Sequence, residues 1–351
     1  MAFVAGIDAH TSYLQVAVVS NAGALEERRR VKVGERDRLL DLLSNYRPLE
    51  VVVETSSSWP WIRDLLVPRG IGFVLAHAKR LRYIAASSYK SDEVDAELLA
   101  RMHLAGLIPS VHAKAPEQRE CITLVRHRAV LVKKRTAMAN QIHGQLHQVG
   151  VRMPRGRLLT RKGVRWLRQE AWRRLGVEQR CLIRTHLQLI RELQPRIKRL
   201  ERRIGCVAAE MPAAVLLQMV PGIGAYRSLV IAAEVLPIER FATAAHLVSY
   251  AGLAPVTRSS GGRTRHGSLP KGANRWLRAA LVRAVVTHAR TVPESWLSRY
   301  YAEQKQRLGW QVARIATARR LCRAVHRMLR TGEVWHNDAG RGELLVSHAA
   351  A

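Results

Sequence analysis

Four carboxylates stand where a fold would gather them. Asp8 closes the run FVAGID, Glu54 closes LEVVVE, and Asp92 and Asp95 open SDEVDAELLARMHLAG. A spacing of three puts Asp92 and Asp95 on one helical face. Strand C-termini in an open sheet border the crevice where ligands bind. Four acids in one place repel each other unless cations neutralise them. Mg²⁺ prefers carboxylate and water oxygens, with Mn²⁺ as a substitute. Paired ions of this kind stabilise both the attacking and the leaving oxygen at a phosphorus. The bland alternative is four solvent-facing acids, two of them favoured by a helix N-terminus. Glu54, directly after three valines, argues for the metal reading. Glu93 and Glu97 read as solvated surface, and the histidines show no ligand spacing.

A second set of residues suits phosphate. Pro221-Gly222-Ile223-Gly224 matches a helix–hairpin–helix turn, in which glycine lets backbone approach a phosphate and the next helix offers free N–H groups. An ordinary interhelical turn would look the same. Further on comes PVTRSSGGRTRHGSLPKGANRWLR, with Ser259 and Ser260 beside Gly261 and Gly262. Arg258, Arg263, Arg265 and Lys271, followed by Arg275 and Arg278, make this a basic loop suited to clamping phosphate. A serine there becomes a nucleophile only with a base or a strongly electropositive pocket. On chemistry alone the clamp is the stronger reading.

The elements that must position these residues follow from pattern. FVAGID and YLQVAVVS are β-rich runs split at His10-Thr11-Ser12, and LEERRRVKV is a charged edge strand. ERDRLLDLLSNY is helical, LEVVVE a buried central strand, WPWIRDLLVPRG a helix, IGFVLAH a strand, and the Asp92 segment a helix with Ser91 as N-cap. The order β-β-β-α-β-α-β-α is α/β, with antiparallel strands first and crossover helices later. From about 115 to 210 the pattern is long and helical, with coiled-coil-like spacing from Leu187 to Ile204 and a kink expected at Pro195. Four segments are expected: 1–112 around the acids, 113–208 as a basic helical linker, 209–340 with the hairpin and serine loop, and a disordered tail over 341–351.

Charge points to the partner. The 351 residues carry 58 Lys/Arg against 27 Asp/Glu, a formal +31. Such an excess is tolerated when the partner is a polyanion, so nucleic acid leads. It is unevenly spread: residues 1–60 are near neutral, whereas 151–203 carry seventeen Lys/Arg against four acids, and 256–290 carry eight and no acid. Trp166, Trp172 and the arginines around them are candidates for stacking on unpaired bases. No long apolar run speaks for a membrane, no basic leader begins the chain, and four scattered cysteines lack a CxxC pair. The expectation is a reduced, cytoplasmic protein.

Taken together, GIDAH with Asp8, VVVETS with Glu54 and KSDEVDAELLA with Asp92 and Asp95 resemble the DEDD tetrad of a RuvC-like, ribonuclease-H-type domain. VPGIGAYRSLVIAAEV and FATAAHLVSYAGLAPVTRSSGGRTRHGSLPKGANRWLRAAL resemble its mainly α C-terminal companion. The family so resembled is the DEDD transposases of bacterial insertion sequences, numbered one hundred and ten, with the related Piv-type DNA invertases. The resemblance spans most of residues 3–335. ETSSSWP departs from the EATG-like sequence common after the glutamate, and the stretch 150–185 is longer than in many relatives.

The resemblance implies a nucleoid-associated recombinase that moves its own insertion sequence, with donor and target DNA paired to a non-coding bridge RNA. It implies a Mg²⁺-binding tetrad, a serine nucleophile that forms a transient 5′-phosphoserine, and composite sites in a homo-oligomer, dimer to tetramer. By position the nucleophile falls on Ser260, with Ser259 as the alternative. Two rivals remain at this level: a metal-dependent nuclease or Holliday-junction resolvase with no covalent step, and a non-catalytic nucleic-acid-binding protein.

Overall fold

A computed structural model describes residues 2–84, 92–153, 158, 160–260, 263–270 and 272–338. The expected Ser91 cap and the tail over 341–351 lie outside them. The chain divides into two compact units, 1–116 and 117–351.

The first unit is a mixed α/β layer structure. Its strands are β1 (Phe3–Ala9), β2 (Tyr13–Ser20), β3 (Leu25–Lys32), β4 (Leu49–Glu54), β5 (Gly72–Ala76) and the two-residue β6 (Ser110–Val111). They lie in the order β3-β2-β1-β4-β5-β6. β1 pairs antiparallel with β2 and parallel with β4, and β4 pairs parallel with β5. β3 is the charged edge that its sequence requires, whereas β4 is buried on both faces. The helices are α1 (Arg36–Ser44), α2 (Trp59–Leu66), α3 (Ala78–Ile84) and α4 (Asp92–Leu104). Ala5, Ile7, Val51 and Val53 share one core with residues of α1 and α2. Val4, Val19 and Val52 point the other way and pack with Leu99, Ala100 and Met102 of α4. Alternation along the strands thus fills two cores from one sheet. Helix α3 and strand β6 are additions to the sequence-based order.

The second unit is mainly helical. Two long helices, α5 (Pro116–Gln148) and α7 (Val177–Glu210), run side by side in opposite directions. Arg128 meets Glu201, Arg135 donates to Gln194 Oε1 at 2.8 Å, and Gln179 donates to Gln148 Oε1 at 3.3 Å. Ile183, Ile190, Ile197 and Ile204 are buried at intervals of seven, the heptad seam expected of such a pair. α7 is a single helix through Pro195, where a kink was expected. Between the long helices lie α6 (Arg161–Trp166), a π-helical turn over Leu167–Ala171 and a short 3₁₀ turn over Trp172–Arg174. Beyond α7 come α8 (Pro212–Gln218), α9 (Ala225–Val235), α10 (Ala244–Tyr250), the two-stranded ladder β7 (Thr257–Ser260) and β8 (Arg263–His266), α11 (Arg275–Thr291) and α12 (Trp296–Thr331). Their core takes in Cys121 and Val125 of α5 and Ile204 and Ala208 of α7. The long helices are therefore part of the packed unit as well as a connection. Among the described residues no helix is long and apolar enough to cross a membrane.

Candidate active site and nucleic-acid-binding elements

The parallel register of β1 and β4 pairs Ile7 with Val53, so Asp8 and Glu54 are the next residues along on neighbouring strands. Asp8 shares a strand face with Gly6 and Val4, and Glu54 shares one with Val52, which is the face covered by α4. A Cβ added to Gly6 would lie 1.9 Å from the Ala96 carbonyl oxygen and 2.9 Å from the Ala100 nitrogen. The helix therefore rests backbone-on-backbone against β1. Its later residues pack over Val4, and Arg101 donates to the Gly23 carbonyl at 2.8 Å, at the turn leading into β3. The first turn of α4, carrying Asp92 and Asp95, accordingly lies toward the end of β1 that carries Asp8.

Asp8 accepts a hydrogen bond from His10 Nε2 at 2.9 Å, and the His10 ring stacks on Tyr13 with centroids 4.5 Å apart. Arg30 caps the other partner, its Cζ 3.4 Å from the Tyr13 ring centroid. In sequence His10 falls in the break between two β-rich runs. Its separation of two from Asp8 on an extended chain is the signal that it can turn back to that carboxylate. Thr55, next after Glu54, accepts from the Ala78 N–H at 3.1 Å and so ties the loop after β4 to the start of α3.

Glu97 is not the solvated acid expected. It lies between Arg28 and Arg101, with Arg101 Nε at 2.6 Å, and its side chain is only 13% exposed. Its hydrogen bond from Arg28 is the main cause that holds its carboxyl below the usual glutamate value. These contacts fasten the outer face of α4 to β3.

The chemistry of the donors fits a hard divalent cation, since Asp8, Glu54 and Asp95 offer carboxylate oxygens only. Among the described residues no three His, Cys, Asp or Glu side chains are gathered closely enough to hold a metal. The Asp92 side chain lies outside that description.

In the second unit the PGIG turn has a packing reason for its first glycine. Gly222 has φ +94°, and a Cβ there would lie 2.6 Å from the Ala284 carbonyl oxygen on α11. Its close approach is thus to a helix of the same chain. His288 Nδ1–H donates to the Pro221 carbonyl at 2.8 Å, its Nε2 lies 2.6 Å from Ser295 Oγ, and the Ser295 hydroxyl donates to Ser298 Oγ at 3.0 Å. Burial holds the His288 imidazole below its usual pKa. Gly224 N-caps α9 and is exposed, with open space where a Cβ would stand. Beside it Arg227 donates to the Gly222 carbonyl at 2.6 Å. Burial and the neighbouring charges of Arg283 and Arg128 lower the Arg227 pKa. Three guanidiniums therefore crowd the start of α9, a positive field that the motif alone did not reveal.

The serine segment is a β-ladder. Thr257 pairs with His266, Arg258 with Arg265, Ser259 with Thr264, and Ser260 with Arg263. Gly261, Gly262 and Lys271 lie outside the described residues. The ladder's base is fixed by Gly267 N–H to the Val256 carbonyl at 2.7 Å. Asn274 then caps α11, accepting from the N–H groups of Trp276 and Leu277 at 3.1 and 3.0 Å. Its Nδ2 donates to Glu234 Oε2 at 2.9 Å, and Arg126 pairs with the other oxygen at 2.8 Å. Arg275 is exposed on the first turn of α11, and Arg278 donates to the Pro270 carbonyl at 3.3 Å.

Comparison with known proteins accounts for both regions. Residues 5–151 match a family model described as a DEDD transposase of the IS110 type, and residues 214–302 match the transposase IS116/IS110/IS902 family. A "Probable family 20 transposase" of Pseudomonas aeruginosa is 28% identical over 293 residues, covering 80% of this chain and 83% of that protein. The transposase for insertion sequence element IS1111A of Coxiella burnetii is 26% identical over 292 residues, covering 82% and 79%. An insertion element IS110 protein of Streptomyces coelicolor is 33% identical over 149 residues, 42% of this chain and 36% of its own length. The two matched regions hold the acidic set and the serine ladder in the same order as the sequence does, and the chain belongs to the DEDD transposases of IS110-type insertion sequences.

Proposed function

We propose that this transposase cuts and rejoins DNA through a covalent phosphoserine on Ser260, within a RuvC-like domain and helix–hairpin–helix partnership guided by a bridge RNA. The sheet order, with three antiparallel strands followed by parallel β4 and β5, supports the RuvC-like reading. The α8–turn–α9 arrangement supports the hairpin reading.

One observation carries the serine assignment: the ladder register pairs Ser260 with Arg263 and Arg258 with Arg265. By the two-residue repeat of strands, Ser260 shares its ladder face with three arginines, whereas Ser259 shares the other with Thr257, Thr264 and His266. A serine oxygen attacking phosphorus develops negative charge that nearby guanidiniums stabilise. Ser260 Oγ loses its proton to solvent or a base and bonds to phosphorus. The P–O3′ bond breaks, and the departing 3′ oxygen takes up a proton. Attack by another 3′ hydroxyl reverses these events, so no external energy source is needed to reseal the strand.

DEDD chemistry depends on a divalent cation, for which Asp8, Glu54, Asp92 and Asp95 are the proposed holders and Mg²⁺ the proposed ion. Bound there, it stabilises charge on the attacking and leaving oxygens. His10 orients the Asp8 carboxylate. Donor and target DNA, the guide RNA and a dimer-to-tetramer assembly complete the proposal.

The test incubates protein, element DNA and the flanking transcript with Mg²⁺ and resolves products under denaturing conditions. A protein–DNA adduct lost in Ser260→Ala and kept in Ser259→Ala supports the reading. Cleavage at normal rate by Ser260→Ala, without adduct, would show a hydrolytic nuclease instead.

A further inference from the structure

The strongest unassigned feature lies between the two matched regions, in residues 158–198. A groove of about 730 Å³ opens between α6 with its π-helical turn and the middle of α7. Its floor is apolar, formed by Leu158, Val164, Leu187, Ile190 and Pro195. Its basic residues are Arg161, Arg165, Arg168, Arg191 and Lys198, and no carboxylate lines it among the described residues. A second hollow of about 720 Å³ shares Arg168, Leu187 and Arg191 with the first and is lined as well by Trp172, Arg184, Gln188 and Glu192, one carboxylate against three arginines among the described residues, so the two adjoin along one channel. It ends at Trp172, over whose ring Arg184 Cζ sits 5.1 Å from the centroid.

This combination has a specific chemistry. Five cations facing one cavity repel each other and are favourable only with a polyanion present. A duplex presents phosphates on a convex surface and keeps its bases stacked inside. A single strand presents phosphates and bare base faces together, and it uses cationic walls with apolar or aromatic floors. The π-helical turn fits a ligand site as well, since such turns recur at functional positions.

We infer that the channel between α6 and α7 binds a single-stranded stretch of polynucleotide, with phosphates on Arg161, Arg165, Arg168 and Arg191 and a terminal base stacked at Trp172. The site is separate from the serine ladder and its action does not depend on strand transfer. RNA and DNA share the required chemistry, and the experiment distinguishes them.

Binding is measured without divalent cation, on the full chain, with labelled oligouridylate, oligothymidylate and a duplex of matched length. The variant Arg165→Glu/Arg168→Glu changes two exposed groove positions. The control Lys305→Glu/Arg323→Glu makes the same charge change at exposed positions of α12. Losing two phosphate contacts should weaken single-strand binding about ten-fold and flatten its log–log salt slope by about 1.4. The control should lose far less, and the tighter of the two single strands identifies the source. Equal losses in groove variant and control overturn the inference, as does a duplex loss as large as the single-strand loss. Photocrosslinking of 4-thiouridine RNA or 4-thiothymidine DNA to the unaltered protein should map to peptides within 158–198. Crosslinks confined to other segments also overturn it.

Discussion

Gly6 of β1 and Ala96 of α4 touch through backbone alone: a single methyl on Gly6 would lie 1.9 Å from the Ala96 carbonyl oxygen. No side-chain rotation relieves that contact, so the helix must lift. Lifting it moves the turn bearing Asp92 and Asp95 away from Asp8 and Glu54. Gly6→Ala should therefore cost about 1–3 kcal/mol of stability, as overpacking does, and should abolish DNA cleavage. Gly34→Ala, where a Cβ meets open space, should do neither. Thermal melts with cleavage assays on both variants check this.

Glu97 makes a second prediction, concerning pH. Its folded pKa is lowered from 4.5 by Arg28 and Arg101. A lowered carboxylate pKa contributes stability above the unfolded value and loses it as pH falls through the folded one. The arginines are 39% and 45% exposed, so solvent screens much of the gain. Glu97→Gln should destabilise by only about 1 kcal/mol at neutral pH. Denaturant melts of the two proteins should converge as pH drops below 4.5.

Asn274 offers a third. Its side chain caps α11 through Oδ1 and satisfies buried Glu234 through Nδ2. Asn274→Ala should cost roughly 2–4 kcal/mol, summing a lost cap and a lost partner to a buried carboxylate. Asn274→Asp keeps a capping oxygen but sets a second carboxylate against Glu234. It should be less stable than Asn274→Ala at neutral pH and recover part of the difference in acid. Urea unfolding at two pH values decides.

His288 gives a fourth. Burial lowers its pKa from 6.5, and its Nε2 lies 2.6 Å from Ser295 Oγ. Protonation would place a charge in that buried site, so the second unit should lose stability as pH falls below 6.5. His288→Gln should be less stable at neutral pH and show a flatter pH dependence there, read by thermal melts.

Much of this was legible in local pattern. Three valines ahead of Glu54 announced a central strand, charged residues announced the edge at β3, and apolar spacing announced α7. Asp8 and Glu54 could be read as strand-end acids because each closes an apolar run. What escaped depends on distant partners. Glu97 looked solvated because Arg28 lies across the sheet from it. The packing partner of Gly222, Ala284, lies far along the chain and could not be read from PGIG. α3 carries too little apolar periodicity to declare itself, and β6 is two residues whose strand character exists only beside β5. In sequence the preference for Ser260 over Ser259 rests on resemblance alone, since face is a property of register and register needs the partner strand.

The most direct test of the account is the identity of the residue that carries DNA. Trypsin cuts after Arg258 and Arg263, releasing Ser-Ser-Gly-Gly-Arg with both serines. Mass spectrometry of nuclease-trimmed, trypsin-digested adduct should place a 5′-linked nucleotide on Ser260 of that peptide. A nucleotide on Ser259, or cleaved DNA whose 5′ phosphate is free while this peptide is unmodified, would contradict it.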